Sequence, residues 1–134
     1  MRTFLLTCCL LAATACDEGG PTGPTVPLNE RFTLGRGERA ALGSTGIGLQ
    51  FVGVTGDSRC PADVVCVQGG DAIVHVRVFD AGVSRSYELH TGDGQRATAL
   101  HRNLRIDLLE LRPYPFSSRV IDPSAYRVTL VVRG

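Results

Sequence analysis

The sequence predicts an all-β fold in two packed layers. Three observations predict it. Helical periodicity is scarce, whereas apolar and polar residues alternate over many short runs. Glycine and proline, 16 and 7 copies in 134 residues, punctuate those runs. Beyond residue 29 about 105 residues remain, enough for one core and about seven strands. An immunoglobulin-like two-sheet β-sandwich is the architecture expected of such a chain, with a small β-barrel as the alternative. The inter-sheet disulfide and buried tryptophan of antibody domains are missing. The chain has no tryptophan, and Cys60 and Cys66 stand too close in sequence.

The strands are expected as follows. Segments 30–34 and 38–42 are short candidates divided by Gly35, Arg36 and Gly37. Segment 47–55 sets Leu49 and Phe51 on one face, Val52 and Val54 on the other. Segment 72–79 points Ala72, Val74, Val76 and Val78 inward, and His75 and Arg77 outward. Asp80, Ala81 and Gly82 read as a hairpin connection to segment 84–90, where Arg85, Tyr87 and Leu89 share a face. A weakly patterned stretch follows the loop 91–94. Segment 103–111 begins with Leu104, Ile106 and Leu108 in phase and then shifts to Leu109 and Leu111, as a β-bulge requires. Segment 125–132 closes the chain with Tyr126, Val128, Leu130 and Val132 on one face.

The N-terminus predicts export. Arg2 precedes twelve mostly apolar residues, 4–15, too few for a transmembrane helix and right for a secretory signal. Ala13, Thr14 and Ala15 lead into Cys16. This run resembles the lipobox of bacterial lipoproteins, with Ala13 where the family usually has leucine. The resemblance implies cleavage before Cys16, lipid on its thiol and a location in the bacterial cell envelope. The plainer alternative is an ordinary signal peptide cut after Ala15. Residues 17–29, DEGGPTGPTVPLN, hold three glycines and three prolines and are expected to form a disordered tether behind the lipidated cysteine. Several acyl chains on one cysteine make such anchoring stable. Asp17 does not decide between inner and outer membrane.

Charge excludes some partners. All fourteen basic residues are arginine, and with Arg2 removed thirteen arginines face thirteen acids. That balance offers no field for nucleic acid, and the absence of lysine removes Schiff-base chemistry. No G-x-S-x-G and no phosphate-binding glycine loop is present. No enzyme activity, cofactor or metal is expected.

Cys60 and Cys66 admit three readings. Thiol redox catalysis favours C-x-x-C at a helix start, and this pair is C-x5-C between strands. A structural zinc site takes four ligands, and the nearest imidazole in sequence, His75, points outward. In an exported domain the pair is expected as a disulfide staple. Arg59, with Asp57, Asp63 and Asp71 close by, is either one half of a local ion pair or part of a binding patch. His75, His90 and His101 belong to no paired motif and are expected as surface or internally satisfied side chains. The segment 111–116, LRPYPF, is expected to be held extended by Pro113 and Pro115, with Tyr114 and Phe116 alternating. It is either a self-packed corner or a partner-binding loop anchored by Arg112, Tyr114 and Phe116.

The stretch FVGVTGDSRCPADVVCVQGGDAIVHV resembles a group of exported bacterial lipoproteins of uncharacterised activity. Ser58, Arg59, Cys60, Pro61, Cys66, Gly70 and Ala72 carry the resemblance, and Gln68 departs from the tryptophan common there. The resemblance spans most of 32–132 and implies kinship without a reaction. More faintly, the Arg-Pro-aromatic run is similar to a loop of chagasin-type protease inhibitors, although their Asn-Pro-Thr-Thr-Gly loop is missing. The expectation is a non-enzymatic, lipid-anchored envelope binding or structural module with an envelope protein as partner. An inhibitor-like or small-ligand- or metal-binding sandwich is the alternative.

Overall fold

The structure, a computed structural model, describes residues 23–134. The expected signal segment and Cys16 lie outside the described residues. The described residues form nine strands: β1 (Thr25–Val26), β2 (Arg31–Gly35), β3 (Arg39–Leu42), β4 (Gly48–Thr55), β5 (Ile73–Asp80), β6 (Val83–His90), β7 (Thr98–His101), β8 (Leu104–Arg112) and β9 (Arg127–Arg133). They form a five-stranded sheet, β1-β3-β4-β5-β6, and a four-stranded sheet, β2-β9-β8-β7. The expected two-sheet sandwich is therefore the observed architecture, and the sheets do not close into a barrel. Consecutive strands lie side by side, β3 to β6 in one layer and β7 to β9 in the other, a strand order distinct from that of antibody domains.

The two strands beyond the expected seven are short. β7 lies in the weakly patterned stretch, where only Ala99 and His101 turn inward. β1 lies inside the expected tether. It pairs in parallel with β3, Thr25 beside Ala41 and Val26 beside Leu42, and Leu28 packs on the core. The sandwich therefore takes in residues ahead of 30, because Val26 and Leu28 supply apolar surface that it can bury.

Alternation accounts for the core. Leu49, Phe51, Val74, Val76, Val78 and Leu89 of one sheet meet Leu34, Leu104, Ile106, Leu111, Val128, Leu130 and Val132 of the other. Two bulges break the phase. In β4 the register shifts between Phe51 and Gly53, so Val54 packs against the core instead of sharing the outer face with Val52. In β8 it shifts between Leu108 and Glu110. Leu109 is the extra residue and is exposed, contrary to its expected inward phase, while Leu111 returns to the core. The β5–β6 hairpin turns on Ala81 and Gly82 with φ of 49° and 77°, the left-handed pair that matches strand twist.

The registers define two ends. The turns after β5 and β7 and the C-terminus lie at one. Segments 56–72 and 113–126 lie at the other, here called the apex.

Candidate functional site

The apex is built from two segments separated by forty residues of sequence. The first leaves β4 and carries the staple. Cys60 and Cys66 are joined, with S–S 2.10 Å and Cα–Cα 6.0 Å. Ser58 ties the base of this segment, its backbone N–H donating to the Asp71 carbonyl at 2.7 Å and its hydroxyl accepting from the Asp71 N–H at 3.1 Å. The crossing is so close that a Cβ on Gly70 would lie 1.5 Å from the Ser58 carbonyl oxygen. Gly70 is required by contact, whereas Gly69 has open space around it.

The second segment leaves β8 and bends at Pro113, whose bond to Arg112 is cis. It is not the extended stretch that its prolines suggested. Arg59 binds the two segments together. Its Nη1 donates to the Leu111 carbonyl at 2.7 Å and its Nη2 to the Pro113 carbonyl at 2.9 Å. Its Nε and Nη2 also grip Asp57 at 2.8 and 2.7 Å. Both side chains are nearly buried, at 10% and 12% exposure. The pair is thus local, as one of the two readings had it, but it is internal rather than a weak surface contact. Arg59 thus commits four of its guanidinium N–H groups to contacts within the chain.

Electrostatics at this joint follow from the contacts. Burial opposes the charge on Asp57, but hydrogen bonds from Arg59 and Tyr126 prevail and hold its carboxyl below the usual range. The Tyr126 hydroxyl donates to Asp57 at 2.8 Å. Burial and that carboxylate push the Tyr126 phenol up to about 12. A second clasp lies further out. The Ala62 N–H donates to the Pro115 carbonyl at 2.8 Å, and Asp63 accepts from the Ser117 N–H and hydroxyl at 2.9 and 2.5 Å. These Ser117 bonds keep Asp63 ionised below its ordinary value.

The other expected binding residues face outward. Arg112 pairs with Glu110 at 2.9 Å and lies 5.3 Å from the Tyr114 ring centre. The Tyr114 hydroxyl donates to Glu110 at 3.1 Å. Arg119 lies 4.9 Å from the Phe116 ring centre. Tyr114 and Phe116 stay 46% and 40% exposed and line a shallow apolar hollow with Ala62, Pro113 and Ala125. Four valines join them without any motif to announce them. Val65, Val67 and Val120 are fully exposed and Val64 nearly half so. The only trace in the sequence is compositional: two valines among the five residues between the cysteines and one just after Cys66.

The histidines are internally satisfied. His75 Nε2 meets the Thr55 hydroxyl at 2.7 Å. His101 lies between the Tyr87 hydroxyl at 2.8 Å and Asp80 at 2.9 Å. His90 Nδ1 meets Asp71 at 2.5 Å. Burial opposes the Asp71 charge, and the Gly92 N–H, His90 and Thr91 outweigh it. Among the described residues, no three His, Cys, Asp or Glu side chains converge as a metal site would require. In comparisons with family models, curated proteins and solved structures, nothing matches this chain.

Proposed function

We propose that the chain is a non-enzymatic module of the bacterial cell envelope, exported, anchored by lipid on Cys16, and binding through its apex. One observation carries the reading. A segment closed on itself by a disulfide is clasped to a distant second one by a nearly buried arginine and Asp63, yet the end they form leaves three valines and two aromatic rings uncovered. An apolar surface kept rigid at such cost in ordering is characteristic of recognition. The groups best suited to chemistry, Arg59, His90 and His101, are engaged in holding the fold.

The test is labelling of the full chain in a bacterial host with an alkyne fatty acid. Label on the native chain and none on Cys16→Ser, with the variant released from the membrane fraction, supports the anchor. An unlabelled native chain refutes it. A photo-crosslinking residue at position 65, compared with one at position 100, tests the binding end. Crosslinks from 65 alone support the apex; crosslinks from 100 alone count against it.

A further inference from the structure

We infer that the apex binds the lipid surface of the membrane that carries Cys16, seating the sandwich apex-down on the bilayer; the inference rests on the lipid anchor proposed above. The direction of the chain at Gly23 is the first argument. β3 runs antiparallel to β4, Arg39 beside Gln50 and Ala41 beside Gly48, and β4 runs toward the apex. β1 is parallel to β3, so it runs away from the apex. Gly23 abuts the Arg39 carbonyl, level with the middle of β4. Read backwards from Val26 to Gly23, the described chain points toward the apex.

Length is the second argument. Cys16 precedes Gly23 by seven residues, a covalent reach of at most about 25 Å. From the level of Gln50 to the end of β4 at Thr55 is about 15 Å of strand. A lipid on Cys16 thus lies no more than about 10 Å beyond the strand ends, a depth occupied by the apex loops themselves. Seating the opposite end on the membrane would leave the apolar apex in water.

The chemistry of the apex fits an interface. Val65, Val67 and Val120 offer apolar surface with no internal partner. Tyr114 and Phe116 are ring types suited to the headgroup boundary. Arg112 and Arg119 pack along those rings and carry cationic tips at the level of phosphate groups. Asp63, Asp122 and Glu110 lie nearby, each already accepting hydrogen bonds from Ser117, Ser124 or Arg112, so the contact is apolar first and gains little from anionic lipid.

The absence of tryptophan supplies the probe. Tyr114→Trp places a single tryptophan at the apex, and Val83→Trp places one at the other end. Each lipidated full chain is reconstituted into phosphatidylcholine vesicles containing acyl-brominated lipid. The expected result is a blue-shifted, quenched emission for Tyr114→Trp and an unshifted, unquenched one for Val83→Trp. An anchored protein with the apex probe unquenched, or with the Val83 probe quenched instead, overturns the lipid contact and leaves the anchor standing. An apex probe unquenched in vesicles but blue-shifted in native envelope membranes assigns the apex to a protein partner and also overturns it. A chain that carries no lipid, and behaves like Cys16→Ser, overturns the anchor and this inference with it.

Discussion

Arg59 donates to the carbonyl oxygen of Leu111 at 2.7 Å, across 52 positions of sequence. Through this bond the stapled segment of one sheet is fixed to the last turn of core in the other, since Leu111 is itself buried. The first prediction follows. Arg59→Ala removes both carbonyl bonds and the guanidinium grip, and leaves Asp57, nearly buried, with only the Tyr126 hydroxyl and the residue-59 backbone N–H as donors. The cost is expected at about 3–5 kcal/mol in urea denaturation, the range for breaking a buried pair. Arg59→Lys keeps the charge but loses the fork and should recover only part of it. A loss under about 1 kcal/mol for the alanine variant would show the joint to be ornamental.

Gly70 and Gly69 make a matched pair of tests. Alanine at 70 drives a Cβ into the Ser58 carbonyl at 1.5 Å, so the crossing must open. Alanine at 69 meets nothing within 4 Å. Gly70→Ala should lower the melting temperature sharply, and Gly69→Ala should stay within about 0.5 kcal/mol of the native chain. Equal behaviour of the two would refute the contact.

Removing the staple should be gentler. Closing a ring of this length restricts the unfolded chain by about 2 kcal/mol in the loop-entropy picture. Cys60→Ser with Cys66→Ser is expected to lose about that much while amide shifts of β4, β5, β8 and β9 stay in place. Collapse of the whole spectrum would mean that the disulfide carries the fold and not just the apex.

Acid should loosen the apex before the sandwich. The carboxyls of Asp57 and Asp71 are held below their ordinary value of 3.8 by partners in the folded chain. Each binds protons more readily when unfolded, so each stabilises the fold above about pH 4 and ceases to as pH falls through its folded value. Tyr126 has the opposite sign. Raised from 10.0 to about 12, it stabilises below pH 10 and loses that contribution between 10 and 12. Denaturation midpoints across pH should therefore fall at both extremes, and Asp57→Asn should flatten the acid limb. An unchanged acid limb in that variant would contradict the sign given to Asp57.

The sandwich was legible because alternation is a direct record of burial. Ala72, Val74, Val76 and Val78 announced an inward face that the structure keeps. Bulges were legible only where they broke a long run. The shift in β8 was visible, though Leu109 turned outward, while the one in β4 hid behind Val52 and Val54, two valines that suit either face. β1 and β7 were too short for alternation to register. The apex divides similarly. Tyr114 and Phe116 stand out as aromatics between prolines, but the role of Arg59 depends on backbone carbonyls, which no sequence pattern reveals.

The parallel pairing of β1 with β3 also determines how the domain carries load. The Ala41 N–H donates to the Pro24 carbonyl at 3.0 Å and the Gly43 N–H to the Val26 carbonyl at 2.8 Å. A pull on the chain ahead of Gly23, directed along the strand toward the apex, strains these bonds together in shear instead of peeling them one by one. Drag on the domain would then be borne by β1 as a short lap joint along the flank of β3, so the mechanical weak point is the two-residue overlap and not the eight-stranded body behind it.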